Sequence, residues 1–298
     1  MDVKNAFLNG ELDEEVYMDL PSGFDGGYKG RKVCRLKKSL YGLKQSPSAC
    51  FDRFTKSIKK YGYNQGQTDH TLFFKHSQNR KVAILIVYVD DIILSRDDLE
   101  ELVRLKGFLV QDFEIKDLGQ LRYFLGMEVA RTKKGISISQ KKCIVDLLKE
   151  TCMLGCKPSE TPIEWNDKLR MKASNPIDRE RYQRLVGKLI YLAQTRPNIA
   201  FVVSLVCQYM HDLFQEHLNV VHKILRYLKT TPRKGIFIGK NEKRDVEAYA
   251  DVDWAGSIDD RKSTIGYCSF VWGTVTWRSK KQNIMARSST KAEYRALT

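Results

Sequence analysis

A chain of 298 residues that is 42% hydrophobic and 29% charged can bury a substantial core, which excludes a disordered polypeptide. Its 51 Lys and Arg against 36 Asp and Glu leave a net charge of +15, which argues for a polyanionic partner, nucleic acid first. No apolar run approaches the roughly 18 residues that span a bilayer, and the polar start MDVKNAFLNGELDEE is unlike a secretory leader.

Residues 1–60 open with an acidic turn region, NGELDEEVYMDLPSGFDGG, followed by a basic strand-like piece. The spacing of Cys50, Phe51, Phe54 and Ile58 then predicts a helix over 47–61. TLFFKH and KVAILIVYVDDIILS read as strands on either side of the polar turn SQNR. DLEELVRLKGFLVQDF has helical periodicity, GQLRYFLGMEVARTKKGISISQ reads as a hairpin turning at 133–135, and KKCIVDLLKETCML is a short helix. A polar stretch with three prolines marks a linker at 155–177. DRERYQRLVGKLIYLAQTR and the segment from Pro197 to Thr231 predict two helices, the second broken near His211. Strands return in DVEAYADVDWAG and STIGYCSFVWGTVTWRSKKQ, and SSTKAEYRALT starts a helix that a serine can cap. This order predicts an α+β domain, a helical connector, and the opening of a second α/β domain.

Seven cysteines, an odd number in no regular framework, fit a reduced compartment. Cys207, His211, His217 and His222 have the composition of a zinc site, but their helix-like, partly apolar stretch favours a structural role.

The adjacent Asp90 and Asp91 stand inside an apolar strand pattern, where unpaired charge costs several kcal/mol. Period-2 geometry resolves this if Val89 and Asp90 form a hairpin tip between strands, so that the carboxylates project into a cleft. A plain aspartate turn is the competing reading.

The YVDD stretch resembles the active-site hairpin of reverse transcriptases. DVKNAFLNGELDEEVYM, LKKSLYGLKQSPSACF, FLGMEV, VGKLIYLAQTRPNIAF, YADVDWAG and SSTKAEYRAL, in that order, are similar to the polymerase region of copia-type long-terminal-repeat retrotransposons. The resemblance covers nearly the whole chain. It implies a polymerase palm and thumb-like region at 1–154, without fingers, and a linker and helical connection at 155–240. The opening part of a ribonuclease H-like domain would follow at 241–298. It further implies an RNA-directed DNA polymerase using two Mg2+ or Mn2+ ions, with Asp2 and Asp90 as bridging ligands and Asp91 more peripheral. Lys4, Asn5 and Ala6 would face the triphosphate, and Phe7 would floor the sugar pocket, a plain core phenylalanine being the alternative. Gly42 and Gln45 would lie under template and nucleotide, and Phe124, Leu125, Gly126 and Met127 would contact the primer. Asp251 and Glu293 match two ribonuclease H ligands, with Asp253 the alternative to Asp251 and Trp254 near the groove. Implied partners are an RNA/DNA template-primer, deoxynucleoside triphosphates and the rest of a Pol polyprotein, in a cytoplasmic virus-like particle or the nucleus, with no membrane.

Three departures from the family pattern shape the expectations. Asp2 follows the first residue directly, so it is expected to fray, with nothing to hold it against Asp90, and polymerase activity is expected to be impaired. Little or no ribonuclease H activity is expected, because further acids are missing after Glu293. Asn198 replaces a usual aspartate in RPNI, outside the metal site. A non-catalytic nucleic-acid-binding remnant or domesticated protein is the alternative function, and another two-metal phosphotransferase is disfavoured by LYGLKQSP and FLGMEV.

Overall fold

A computed structural model of the chain describes residues 1–24, 32–77, 81–95, 98–164, 177–211, 213–240, 245–257, 260–271 and 274–297. Parts of the acidic turn region (25–31), the SQNR turn (78–80), the linker (165–176) and the last strand stretch (272–273) lie outside the described residues. The fold is mixed α and β. It divides into two compact units, Met1–Leu121 and Arg122–Thr298.

The first unit is built from β1 (Asp2–Val3), β2 (Tyr17–Asp19), β3 (Val33–Arg35), α1 (Ser46–Lys60), β4 (Asn64–Gln65), β5 (Leu72–His76), β6 (Val82–Tyr88), β7 (Asp91–Leu94), α2 (Leu99–Asp112) and β8 (Ile115–Lys116). β2 and β3 form a separate hairpin. The other strands make one antiparallel sheet in the order β4-β5-β6-β7-β1-β8. In β6, Ala83, Leu85 and Val87 are buried while the residues between them are less so, the period-2 signature of a sheet with one face on the core. Phe54 and Ile58 of α1 and Leu105 and Leu109 of α2 pack on that face beside Phe73, Leu85, Val87 and Ile92. Helix α1 starts with Pro47 in its first turn. It stops where Gly62 adopts φ +96° and the Tyr63 N–H returns to Ile58 O at 3.2 Å, a left-handed cap that a side chain would strain. Asp98 caps α2 by accepting from the Glu101 N–H at 3.1 Å.

The second unit begins with β9 (Tyr123–Phe124), β10 (Met127–Thr132), β11 (Gly135–Ser139) and α3 (Lys141–Glu150). Helices α4 (Arg179–Leu192), α5 (Pro197–Cys207) and α6 (Gln215–Thr230) follow, then β12 (Ile236–Gly239). The predicted break near His211 falls between α5 and α6. Tyr182, Leu189, Ile199, Val206, Val221 and Ile224 fill the core that α3 shares with these helices. β12 then returns to pair with β11, completing a sheet ordered β12-β11-β10-β9. The two backbones approach so closely that a Cβ on Gly235 would lie 2.0 Å from Ile138 O. β13 (Val246–Val252), β14 (Thr264–Val271) and β15 (Thr274–Lys281) form an antiparallel sheet on which α7 (Ser289–Leu297) packs, and Ser288 accepts from the Lys291 N–H at that helix's start. Among the described residues, no helix is long and apolar enough to cross a membrane.

Arg196 is a buried cation whose hydrogen bonds go to the C-terminus of α6. Its Nη1 donates to Thr231 O at 2.8 Å and its Nη2 to Thr231 Oγ1 at 3.0 Å, so the helix dipole supplies the counter-charge. Asn198 accepts from Arg196 Nε at 3.3 Å and donates to the Tyr227 hydroxyl, which completes the cage. His217 of the imagined zinc group stacks on Tyr209 at 4.1 Å, and its Nδ1 accepts from the Phe214 N–H.

Two measurements follow from this core. All four tryptophans come after residue 122 in the sequence, so their fluorescence reports this unit. Arg196→Ala should lower its urea-unfolding free energy by about 2–3 kcal/mol, because the carbonyl groups of Thr231 and Lys234 lose a buried donor; no change would show that α6 ends without needing the cation. Burial, with Arg181 and Arg226 nearby, holds His222 below the ordinary imidazole range. The unfolded chain then takes up the proton first, and stability is lost as pH falls below about 6.5. The urea midpoint should drop between about pH 7.5 and about pH 5.5, and His222→Gln should flatten that slope.

Candidate functional site

The two residues of β1 lie between β7 and β8 in the sheet. Ile92 N donates to Met1 O at 2.9 Å, Val3 N to Asp90 O at 2.8 Å, and Lys4 N to Glu114 O at 2.8 Å. Val3 is buried in the core. The expected fraying of Asp2 is therefore overturned: strands on both sides satisfy this segment, and an apolar neighbour anchors it.

Asp2 lies directly opposite Asp91 on one side and Lys116 on the other. Met1 and Ile92 exchange both backbone bonds, so Asp2 and Asp91 occupy the adjacent non-hydrogen-bonded pair. At such positions Cα atoms come within about 4.5 Å and side chains approach most closely. Both carboxylates project from the face opposite Val3 and Ile92. Like charges opposed in this way destabilise a sheet. Partial burial pushes the Asp91 carboxyl above its usual range, and the negative charges of Asp90 and Asp2 push it further.

Tyr88 pairs with Asp91, leaving Val89 and Asp90 as the two-residue tip of the β6–β7 hairpin. Val89 has φ +56° whereas Asp90 does not have positive φ, the sign pattern of a type II′ turn. Glycine normally takes that first position, and a β-branched residue there is strained. The hairpin tip thus forms with its strain concentrated beside the carboxylates.

After β1, Asn5 takes φ +51° and Ala6–Asn9 make a turn of 3-10 helix with Ala6 buried. Lys4 extends its side chain to Glu114 Oε1 at 2.7 Å, which raises its ammonium pKa. The Phe7 ring meets Tyr41 edge-on, with centroids 5.0 Å apart. Ser39, buried, donates its hydroxyl to Phe7 O, and its N–H to Gly10 O at 3.0 Å. A Cβ on Gly10 would fall 2.5 Å from Ser39 Oγ and 2.9 Å from Ala49 Cβ, so glycine is required for this approach. Gly42 has φ +92° and open space before it, while Gln45 precedes α1 without capping it by its side chain. Ser39, Gly10 and Tyr41 were not singled out in the sequence. Their partners are distant in sequence, and the Ser-Leu-Tyr-Gly run is the only local hint.

In the second unit, Phe124 and Met127 pair across a two-residue turn, Leu125 and Gly126, both with positive φ. Gly126 O accepts from Cys143 Sγ at 3.4 Å, and Tyr191 lies against the same glycine. Asp251 is exposed on β13, its Oδ1 accepting from Val252 N at 2.9 Å, and Glu293 is exposed on α7. Asp253 accepts from the Thr264 N–H, and burial pushes its carboxyl up. Trp254 Nε1 donates to Ala286 O at 3.3 Å. Among the described residues, no three His, Cys, Asp or Glu side chains are gathered closely enough to hold a metal ion as they stand. For the first-unit aspartates the donor chemistry is nonetheless that of a hard divalent cation, three carboxylates whose repulsion at Asp91 the Met1 ammonium offsets only in part.

Residues 1–165 match the family described as reverse transcriptase (RNA-dependent DNA polymerase). The whole chain is 40% identical over 299 residues to the retrovirus-related Pol polyprotein from transposon RE1 of Arabidopsis thaliana, covering 20% of that protein. It is 38% identical over 309 residues to the corresponding polyprotein from transposon TNT 1-94 of Nicotiana tabacum, covering 23% of it. A putative transposon Ty5-1 protein of Saccharomyces cerevisiae is 32% identical over 300 residues, which is 99% of this chain and 97% of that one. The chain thus spans about a fifth of the length of the long polyproteins it matches.

The strain at Val89 can be measured directly. Val89→Gly should stabilise the β6–β7 hairpin by roughly 0.5–1 kcal/mol, the left-handed penalty less the added unfolded-state entropy. Native-state hydrogen exchange at the Val3 and Ile92 amides should slow accordingly, and unchanged or faster exchange would show that the turn carries no strain.

Proposed function

Because the chain belongs to the reverse transcriptase (RNA-dependent DNA polymerase) family of copia-type Pol polyproteins, we propose that its first unit is the palm that transfers deoxynucleotides to a primer 3′-hydroxyl. The observation that carries this reading is the register that sets Asp2 against Asp91 at the closest cross-strand position, next to the hairpin tip of Asp90 and the strained Val89. A sheet bears such repulsion without loss only if a cation occupies the carboxylate face. Asp2 and Asp90 are the proposed bridging ligands, and Asp91, whose carboxyl is already pushed up by partial burial and by its acidic neighbours, is the outer one. Two Mg2+ or Mn2+ ions bound there would activate the 3′-hydroxyl and stabilise the pyrophosphate leaving group.

The chain's own residues supply position. The Lys4 N–H is committed to Glu114 O, so Asn5 and Ala6 are left as the backbone proposed to face the triphosphate. Phe7 presents its ring to the sugar, where a ribose 2′-hydroxyl would collide with it. Gly42 permits close approach of template and nucleotide, and Gln45 borders them. The turn at Leu125 and Gly126, between Phe124 and Met127, is the proposed primer contact. The net charge of +15 supports a template-primer partner, and the rest of a Pol polyprotein is the proposed protein partner. We further read β13 to β15 with α7 as the opening of a ribonuclease H-like domain, with Asp251 and Glu293 as its metal ligands. The proposed compartment is a cytoplasmic virus-like particle or the nucleus.

Magnesium-dependent incorporation on a primed RNA template tests the reading. Asp90→Asn should reduce it at least about a hundredfold, since loss of a direct ligand exceeds the cost of losing a second-layer partner. Salt-sensitive binding of the template-primer should survive. Incorporation unaffected by the substitution would overturn the assignment, and binding without incorporation by the unaltered chain would favour a non-catalytic nucleic-acid binder.

A further inference from the structure

Hydrogen bonds pin the backbone around Phe7 but none of them restrains its ring. Phe7 O accepts from both the Ser39 hydroxyl and the Gly10 N–H, and Leu8 N closes back onto Asn5 O at 2.8 Å. Any motion of Phe7 must therefore be rotation of its side chain. Phe7 borders an apolar cavity of about 120 Å3, walled also by Val3, Ala6, Cys50, Phe51, Val89 and Phe113 among others. That is room for much of a phenyl ring, and cavities lined by such residues stay dry. Tyr41 meets the ring from outside this cavity, edge-on at 66°, on a loop that leaves it 58% exposed.

Packing alone would draw Phe7 back into the void, because filling an apolar cavity recovers lost contacts. The edge-to-face contact with Tyr41 opposes that withdrawal. We infer that Tyr41 is a specificity-determining residue: it holds the Phe7 ring forward against the nucleotide sugar, and the cavity is where the ring retreats without it. This rests on the reading of Phe7 as the floor of the sugar pocket. The contact partner that matters is the Tyr41 ring, not its hydroxyl.

The test is the ratio of affinities for thymidine triphosphate and its ribose counterpart, with a primed template bound, measured by competition against a fluorescent deoxynucleotide. Tyr41→Ala should lower the deoxy-to-ribo preference roughly two- to tenfold, the range of an aromatic pair. Tyr41→Phe should keep it. Cys50→Leu should fill the cavity, leave the preference unchanged by itself, and restore it in the Tyr41→Ala background. An unchanged ratio in Tyr41→Ala, alongside a lost preference in Phe7→Val, would overturn the role of Tyr41. Failure of Cys50→Leu to restore the ratio would overturn the cavity as the place of retreat. If Phe7→Val also leaves the ratio unchanged, or the chain binds neither nucleotide, the reading of Phe7 itself falls, and this inference with it.

Discussion

Two residues, Asp2 and Val3, carry the architecture of the first unit, because their strand fills the gap between β7 and β8. A strand this short has almost no stability of its own; bonds on both edges and one buried valine hold it. That insertion fixes the register, and the register decides which side chains meet. A slip by one position would turn Asp2 into the core and Val3 out to solvent. The apolar ladder of Val3, Ile92 and Val87 is thus also what aims the carboxylates. Hydrophobic packing on one face of the sheet sets the electrostatics of the other.

The local elements were legible because their signals are local. The alternation in VAILIVY, the apolar spacing of α1 and α2, and the aspartate pair at a turn each lie within a single window of sequence. Pairings across long separations were not legible. Nothing in GIFIG announces that it will join β11, and the Ser-Leu-Tyr-Gly run hints at a site without saying that a buried serine will hold Phe7 by its carbonyl. The fraying expected of Asp2 failed for the same reason. It counted the neighbours of Asp2 along the chain, whereas the ladder that secures it comes from Asp90 and Glu114.

The site differs in character from the cores of the two units. In the second unit even a buried guanidinium finds a helix terminus to bond, and Tyr182 donates its hydroxyl to Val206 O at 2.9 Å. Around β1 the opposite conditions gather: a valine in a glycine conformation, opposed carboxylates, and a cavity bordered by an aromatic ring. Several local rules are broken together here, as proteins do where binding and chemistry are served at the expense of stability.

The return of β12 to β11 has a consequence for the chain as it is made. All four helices from α3 to α6 must be synthesised before Ile236 to Gly239 exist to cover the open edge of β11. At ordinary elongation rates that interval is on the order of ten seconds, during which a paired hairpin shows one unsatisfied row of backbone donors and acceptors. The exposed row is a template for another nascent copy as much as for its own strand. The glycine-tight fit at Gly235 makes it selective: the edge closes fully only on a segment that brings no side chain at that position.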